Sequence, residues 1–185
     1  ILEAHDDAEV RVVFIADPEA SMRVDLEHPG GSARVLPLRT WDRTAIKVWL
    51  KRCGLRSDGR VVDLLLEVTG GWPGLVEDFG RSAGPGTELN VLEALGQRLR
   101  QPADAATTLH RMGLQEDNSR GVLALLALHG PCGVDQLMEA VDGPLALWVA
   151  PTLRWARRLD LVSSPSPGQW TLAPLVTRLL AARAG

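Results

Sequence analysis

The sequence predicts a mainly α protein with a short β remnant at its N-terminus and a small β-hairpin near its C-terminus. Three observations lead there. Between residues 40 and 113, apolar side chains recur three and four positions apart in successive segments, the spacing of a helix face. Ahead of that region lie two short apolar runs flanked or broken by proline, the look of buried or edge strands. Beyond it, Pro165-Ser166-Pro167-Gly168 separates two short strand-like segments, the pattern of a hairpin.

The 185 residues are 45% hydrophobic and 23% charged, enough apolar material to fold into one ordinary domain or two small ones. A net charge of −3 argues against a generally basic nucleic-acid binder. The charge is uneven: residues 1–80 are acidic, whereas residues 118–185 are mildly basic. Cys53 and Cys132 are the only cysteines, too few for a disulfide framework, so a reducing cytoplasm is expected. No apolar run is long enough to suggest a membrane span, and no signal-peptide pattern is present. The bias of arginine over lysine points to a high-GC, bacterial genome. The chain begins at Ile1 rather than Met, as expected of a piece of a longer polypeptide.

Residues 1–9 are acidic and suit the end of a helix. Val10-Arg11-Val12-Val13-Phe14-Ile15-Ala16 reads as a buried strand, ended by Asp17-Pro18. Residues 18–33 read as loop, with Pro29-Gly30-Gly31 as punctuation. Ala33 to Leu38 is a second strand, which Pro37 places at an edge or an end. Two such strands do not make a stable sheet alone. They are expected to pair with strands upstream of Ile1 or to pack on the helices that follow.

Thr40 is expected to cap a helix reaching about Cys53, with Trp41, Ala45, Ile46, Trp49 and Leu50 on one face. Lys51 and Arg52 suit its last turn, and Gly54 ends it. Asp58 is expected to cap the next helix, whose Val61, Val62, Leu65, Leu66 and Val68 face inward. Gly70 and Gly71 stop it, because glycine enters left-handed backbone space without steric cost. Pro73 suits the first position of a further short helix, reaching about Arg81. Residues 82–86 read as a linker. Thr87 to Arg100 and Pro102 to Met112 complete the bundle, with Gly113 as the stop.

From residue 118 the rhythm changes. Asn118 or Ser119 is expected to cap a nearly all-apolar, central helix ending at His129. Gly130 to Gly133 reads as a turn. Val134 to Val141 is a short helix with Leu137, Met138 and Val141 inward. Leu145 to Asp160 is a third helix, interrupted or kinked at Pro151. The hairpin and a last helix, Ala173 to Ala184, follow.

Gly71-Trp72-Pro73, set between two helices, resembles the GxP motif of the STAND and related AAA+ ATPases. In that family the motif lies in the helical lid, and its proline packs near the adenine of a bound nucleotide. Strand, loop, strand and lid in this order resemble the end of an AAA+ core, over roughly residues 10–80. The three helices, hairpin and helix after residue 118 resemble the winged-helix domain that commonly follows the lid in STAND ATPases. The resemblance therefore implies three parts. Residues 1–38 would be the last strands of an incomplete nucleotide-binding core, 39–113 a helical lid domain and 118–185 a winged-helix domain. Gly71, Trp72 and Pro73 would contact the nucleotide. No G-x-x-x-x-G-K-[ST] occurs in the chain. ATP or ADP is thus expected to bind only with an upstream phosphate-loop core, and no catalytic site is expected here. The strand that in many STAND proteins ends in a phosphate-sensing Thr/Ser-Arg pair ends here in Ala16-Asp17-Pro18.

Among the remaining candidates, His5, His28, His110 and His129 are scattered, without a second His or Cys at ligand spacing, so no metal site is expected. The carboxylate pairs Asp6-Asp7 and Glu77-Asp78 are read as solvated. Arg154, Arg157 and Arg158 share one helix face and could meet DNA phosphates. Against base reading, residues 145–150 of the same helix lack Arg, Lys, Asn and Gln, and the hairpin tip lacks a basic residue. Trp41, Trp49 and Trp72 are expected in one cluster, and Trp148 and Trp155 in core or interface. The function implied is a regulatory lid and winged-helix region that couples ATP/ADP state to domain rearrangement. A winged-helix DNA-binding transcriptional regulator and a protein-interaction adaptor are the alternatives.

Overall fold

Capping carboxylates, prolines and left-handed glycines mark several of the helix ends. The structure, a computed structural model, describes residues 39–115, 117–141 and 143–184, all within one compact unit, Arg34–Gly185. The strands expected before Arg39 lie outside the described residues.

Five helices make up the first part: α1 (Arg43–Arg52), α2 (Gly59–Thr69), α3 (Pro73–Ser82), α4 (Glu88–Arg98) and α5 (Pro102–Arg111). The cap of α1 is Asp42, not Thr40: its carboxylate accepts from the Ala45 amide at 2.7 Å. Thr40 lies two residues too early and spends its donors elsewhere. Asp58 caps α2 by accepting from the Val61 amide. Pro73 and Pro102 open α3 and α5, where no amide proton is needed. The inward residues include Ile46, Leu50, Val61, Val62, Leu65, Leu75, Val76, Phe79, Leu92 and Leu109, all fully buried. Leu66 and Leu89 are only half-buried, and Ala45 is exposed. Trp41 and Trp49 meet edge-on, with ring centroids 5.9 Å apart. The Trp49 ring lies over Gly80 of α3, where a β-carbon would collide with it. Trp72 turns instead toward a cleft described below.

The second part comprises α6 (Asp117–His129), β1 (Cys132–Gly133), α7 (Val134–Glu139), a 3-10 turn (Gly143–Leu145), α8 (Ala146–Arg158), β2 (Val162–Ser163), β3 (Gln169–Leu172) and α9 (Pro174–Ala184). Several local expectations are corrected. The first helix already includes Asp117, so Asn118 and Ser119 sit inside it, and Ser119 is buried, accepting from the Thr152 hydroxyl. Its apolar composition does not bury it all round, since Leu128 is 81% exposed. Cys132 and Gly133 form a strand rather than a plain turn, opposite Trp170 and Gln169 of β3. The hairpin pairs Val162 with Leu172 and Ser163 with Thr171, giving an antiparallel sheet of order β1-β3-β2. Met138, expected inward, is 43% exposed.

The two parts share a core. Among the described residues the most extensive helix contact is between α9 and α5, and α9 also touches α6 and α2. Leu175, Val176, Leu179 and Leu180 of α9 are buried. The last described helix thus closes the first part as well as the second.

Candidate functional site at the Gly-Gly-Trp-Pro corner

The corner is built by two glycines with different reasons to be glycine. Gly70 ends α2 in left-handed backbone (φ 59°), its amide bonded to the Leu66 carbonyl at 2.7 Å. Gly71 is also left-handed (φ 71°), and a β-carbon there would run into the backbone of Trp41. That close approach accompanies a bond from the Trp41 amide to the Gly71 carbonyl at 2.7 Å. Thr69, fully buried, donates its hydroxyl to Leu65 and accepts from the Gly71 amide. The corner is fixed on both sides, so Trp72 has a set position at the head of α3.

A cleft of about 540 Å³ opens beside it, within the range of roughly 300–1,000 Å³ usual for small-molecule sites. Leu66, Trp72 and Met112 line it from the bundle; Leu161, Leu175 and Val176 line it from the opposite side. Its polar lining comes from Thr40, Glu67, Asp160 and Arg178. Arg178 of α9 reaches across to the carbonyls of Glu67 and Val68 at the end of α2, where the helix dipole favours a cation. Thr40 donates both its amide and its hydroxyl to Asp160, at 3.1 and 3.4 Å.

Of the three residues expected at a nucleotide, Trp72 lines the cleft. Gly71 is buried beneath Trp41 and acts through the corner's shape. Pro73 is half-buried at the start of α3, and its contribution is to set that helix's entry. Sequence reasoning missed Thr40, Asp160 and Arg178 as neighbours of this site. A weak signal existed for Asp160: an aspartate where the chain reverses after a helix, a place usually given to glycine.

The arginine cluster sits apart, on the outer face of α8. Arg154, Arg157 and Arg158 are exposed. The Arg157 guanidinium lies over the Trp170 ring of β3, 5.8 Å from its centroid. Toward the start of α8, Leu147 is 79% exposed and Trp148 half-buried, whereas Trp155 is buried. The hairpin tip, residues 163–169, is exposed and carries no cation.

Two carboxylates elsewhere are tuned by their surroundings. Glu88 is 1% exposed, and its Oε1 accepts from the Arg56 amide at 2.9 Å. That bond leads the causes holding its carboxyl below the ordinary value, against the opposing effect of burial. Asp58 is likewise lowered, first by its bond from the Val61 amide. Burial raises the Cys132 thiol, while Cys53 is exposed. Among the described residues no group of His, Cys, Asp and Glu is placed to hold a metal ion. No helix among them is long and apolar enough to cross a membrane. No protein-family model matches the chain, and neither a curated protein nor a solved structure matches it.

Proposed function

We propose that this chain is the regulatory lid and winged-helix region of a STAND/AAA+-like ATPase, coupling bound ATP or ADP to domain rearrangement. The observation that carries this reading is the cleft at the corner. Trp72 faces it from the bundle, and Leu175 and Val176 face it from α9. An occupant would touch both parts of the molecule, and a ligand shifts an arrangement only through contacts that differ between its states. The element order supports the second part of the reading. Helix, strand, helix, helix and hairpin, with β1 completing a three-stranded sheet, is the order of a winged helix.

The residues present fit one half of a nucleotide. An apolar wall with an indole suits a planar base. The polar rim does not suit phosphates: Glu67 and Asp160 are carboxylates, and Arg178 is already bonded to main-chain carbonyls. The phosphates are left to polypeptide outside this chain. Within it, Trp72 would flank the base, Gly71 would hold Trp72 in place, and Pro73 would fix the helix behind it. When bound, the nucleotide supplies a phosphoryl bond whose hydrolysis changes its size and charge.

The test uses a polypeptide extended upstream to include a phosphate loop. Trp72→Ala should weaken ATP or ADP binding by about tenfold or more, because base–aromatic stacking is worth about 1–3 kcal/mol. Pro73→Ala should also weaken binding. Unchanged affinity in both variants, or an upstream sequence without Gly-Lys-Ser/Thr, would remove the assignment.

A second reading, a protein-docking role for α8, is favoured by one observation. Exposed Leu147 and Ala150 precede Arg154 and Arg157 on its outward side. That surface suits an acidic, partly apolar protein partner better than base edges. Retardation of random duplex DNA at low salt, lost on replacing the three arginines, would instead favour the DNA-binding regulator.

A further inference from the structure

Among the described residues, three helices end in one way. After α1, α5 and α8, an amide beyond the helix bonds to a carbonyl five residues back: Leu55 to Leu50, Leu114 to Leu109 and Leu161 to Ala156, each at 2.9 Å. The residue that reverses the chain is left-handed in each case: Gly54 (φ 69°), Gly113 (φ 85°) and Asp160 (φ 56°). Glycine does this freely, whereas any side chain does it at a cost. Among the described residues Asp160 is the only non-glycine with positive φ. Its carboxylate does what glycine cannot. Oδ2 accepts both the amide and the hydroxyl of Thr40, 120 residues earlier in the chain.

Thr40 is the residue before Trp41, whose own amide is bonded to the Gly71 carbonyl. One dipeptide at the entry to the bundle therefore ties the end of α8 to the Gly-Gly-Trp-Pro corner. Thr40, Asp160 and Trp72 all line the same cleft. Nearby ties differ in kind. Helix α9 is held to α5 by buried apolar side chains, which water does not replace. The Thr40–Asp160 bonds are partly buried and polar, so water can take their place, which it cannot do for buried apolar contacts. Part-exposed polar bonds open more readily than buried apolar contacts.

We propose that Thr40 and Asp160 form a releasable clasp. Closed, it holds the end of α8 and the start of the hairpin against the chain entering the bundle. Released, it lets the end of α8 and the chain entering the bundle part locally, with α9 staying on α5, and widens the cleft beside Trp72. A pull on the chain ahead of Thr40, or an occupant that competes for the Asp160 carboxylate, would release it. The clasp borders the cleft of the proposed function, but its working does not depend on what fills that cleft. The test therefore uses the chain without ligand, and its failure would leave the nucleotide assignment to be judged by its own experiment.

Amide hydrogen exchange followed by NMR on the 185-residue chain gives the readout. Asp160→Gly removes the carboxylate and gives the turn the residue found at Gly54 and Gly113. Melting temperature should change little, because relief of the backbone cost offsets the lost bonds. The Trp41 amide, bonded to Gly71, and the Ala173 amide, bonded to Leu161, should nevertheless exchange about tenfold faster, as the loss of hydrogen bonds to a charged group implies. Core amides of α2 and α5 should keep their rates. Thr40→Val, which keeps the amide donor, should give the same pattern more weakly. Asp160→Asn, which keeps an acceptor and tolerates the left-handed turn, should restore most protection. Unchanged Trp41 and Ala173 exchange in Asp160→Gly would show that Asp160 is only a helix cap and overturn the proposal. A uniform acceleration of all amides would overturn it too, by making the residue an ordinary contributor to global stability.

Discussion

Replacing Gly71 with alanine isolates the close approach that fixes the corner, because the molecule supplies its own control. Gly54 and Gly71 have nearly the same φ, 69° and 71°. A β-carbon at Gly54 meets nothing within 4 Å, while one at Gly71 collides with the Trp41 main chain. Both substitutions carry the left-handed penalty, about 1–2 kcal/mol. Only Gly71→Ala must also displace Trp41. That loses the Trp41–Gly71 bond, about 1 kcal/mol, and strains the packed corner by about 1–3 kcal/mol. Gly71→Ala should therefore cost about 2–4 kcal/mol more than Gly54→Ala. Urea unfolding monitored by circular dichroism would read this as a lower midpoint with an unchanged slope. Thermal melts should separate the variants by about 4 °C or more. Equal losses in the two variants would refute the argument, because the left-handed backbone alone would then account for both.

Two further outcomes follow from named contacts. Gly80 lies inside α3, where alanine ordinarily improves a helix by about 1 kcal/mol; here the Trp49 ring occupies the space. Gly80→Ala should destabilise by about 1–2 kcal/mol, and the same change made in a Trp49→Phe background should be neutral or better, a coupling that a double-mutant cycle measures. Asp58 and Glu88 hold their protons less tightly when folded than when unfolded, so their ionised forms favour the folded state. Their contribution is whole at neutral pH and fades as the solution is acidified below about pH 5, through the folded values. Melting temperature should fall over that range, and the fall should be shallower in Asp58→Asn and Glu88→Gln.

What the sequence made legible was chemistry that acts within a turn of helix. The glycines at 54, 70, 71 and 113 mark chain reversals, prolines 73 and 102 open helices, and Asp58 caps one, because each effect needs only neighbours three or four residues away. Thr40 could not be placed by such rules. Asp42 competes for the same cap, and the partner Thr40 finds is 120 residues distant. The two-residue strand at Cys132 is likewise defined by Trp170 and Gln169, not by its own composition. Leu128 has a core residue's chemistry and a surface position. Periodicity is weak in an all-apolar helix, so it does not say which side faces in. Trp72 was visible as a candidate from its corner. Asp160 and Arg178, which share the cleft with it, were not, since nothing local distinguishes a carboxylate or a guanidinium that reaches across to another element.

The docking of α9 on α5 has a bearing on biosynthesis. A ribosome makes α2 and α5 well before α9, and until α9 emerges the side of α5 it will cover is bare to water. Throughout that interval the nascent bundle is adhesive, a target for chaperones and for other unfinished copies. A premature stop codon before Pro174 would make the exposure permanent. Such a product would lose more than its C-terminal part; the helices already synthesised would be left sticky and prone to clearance.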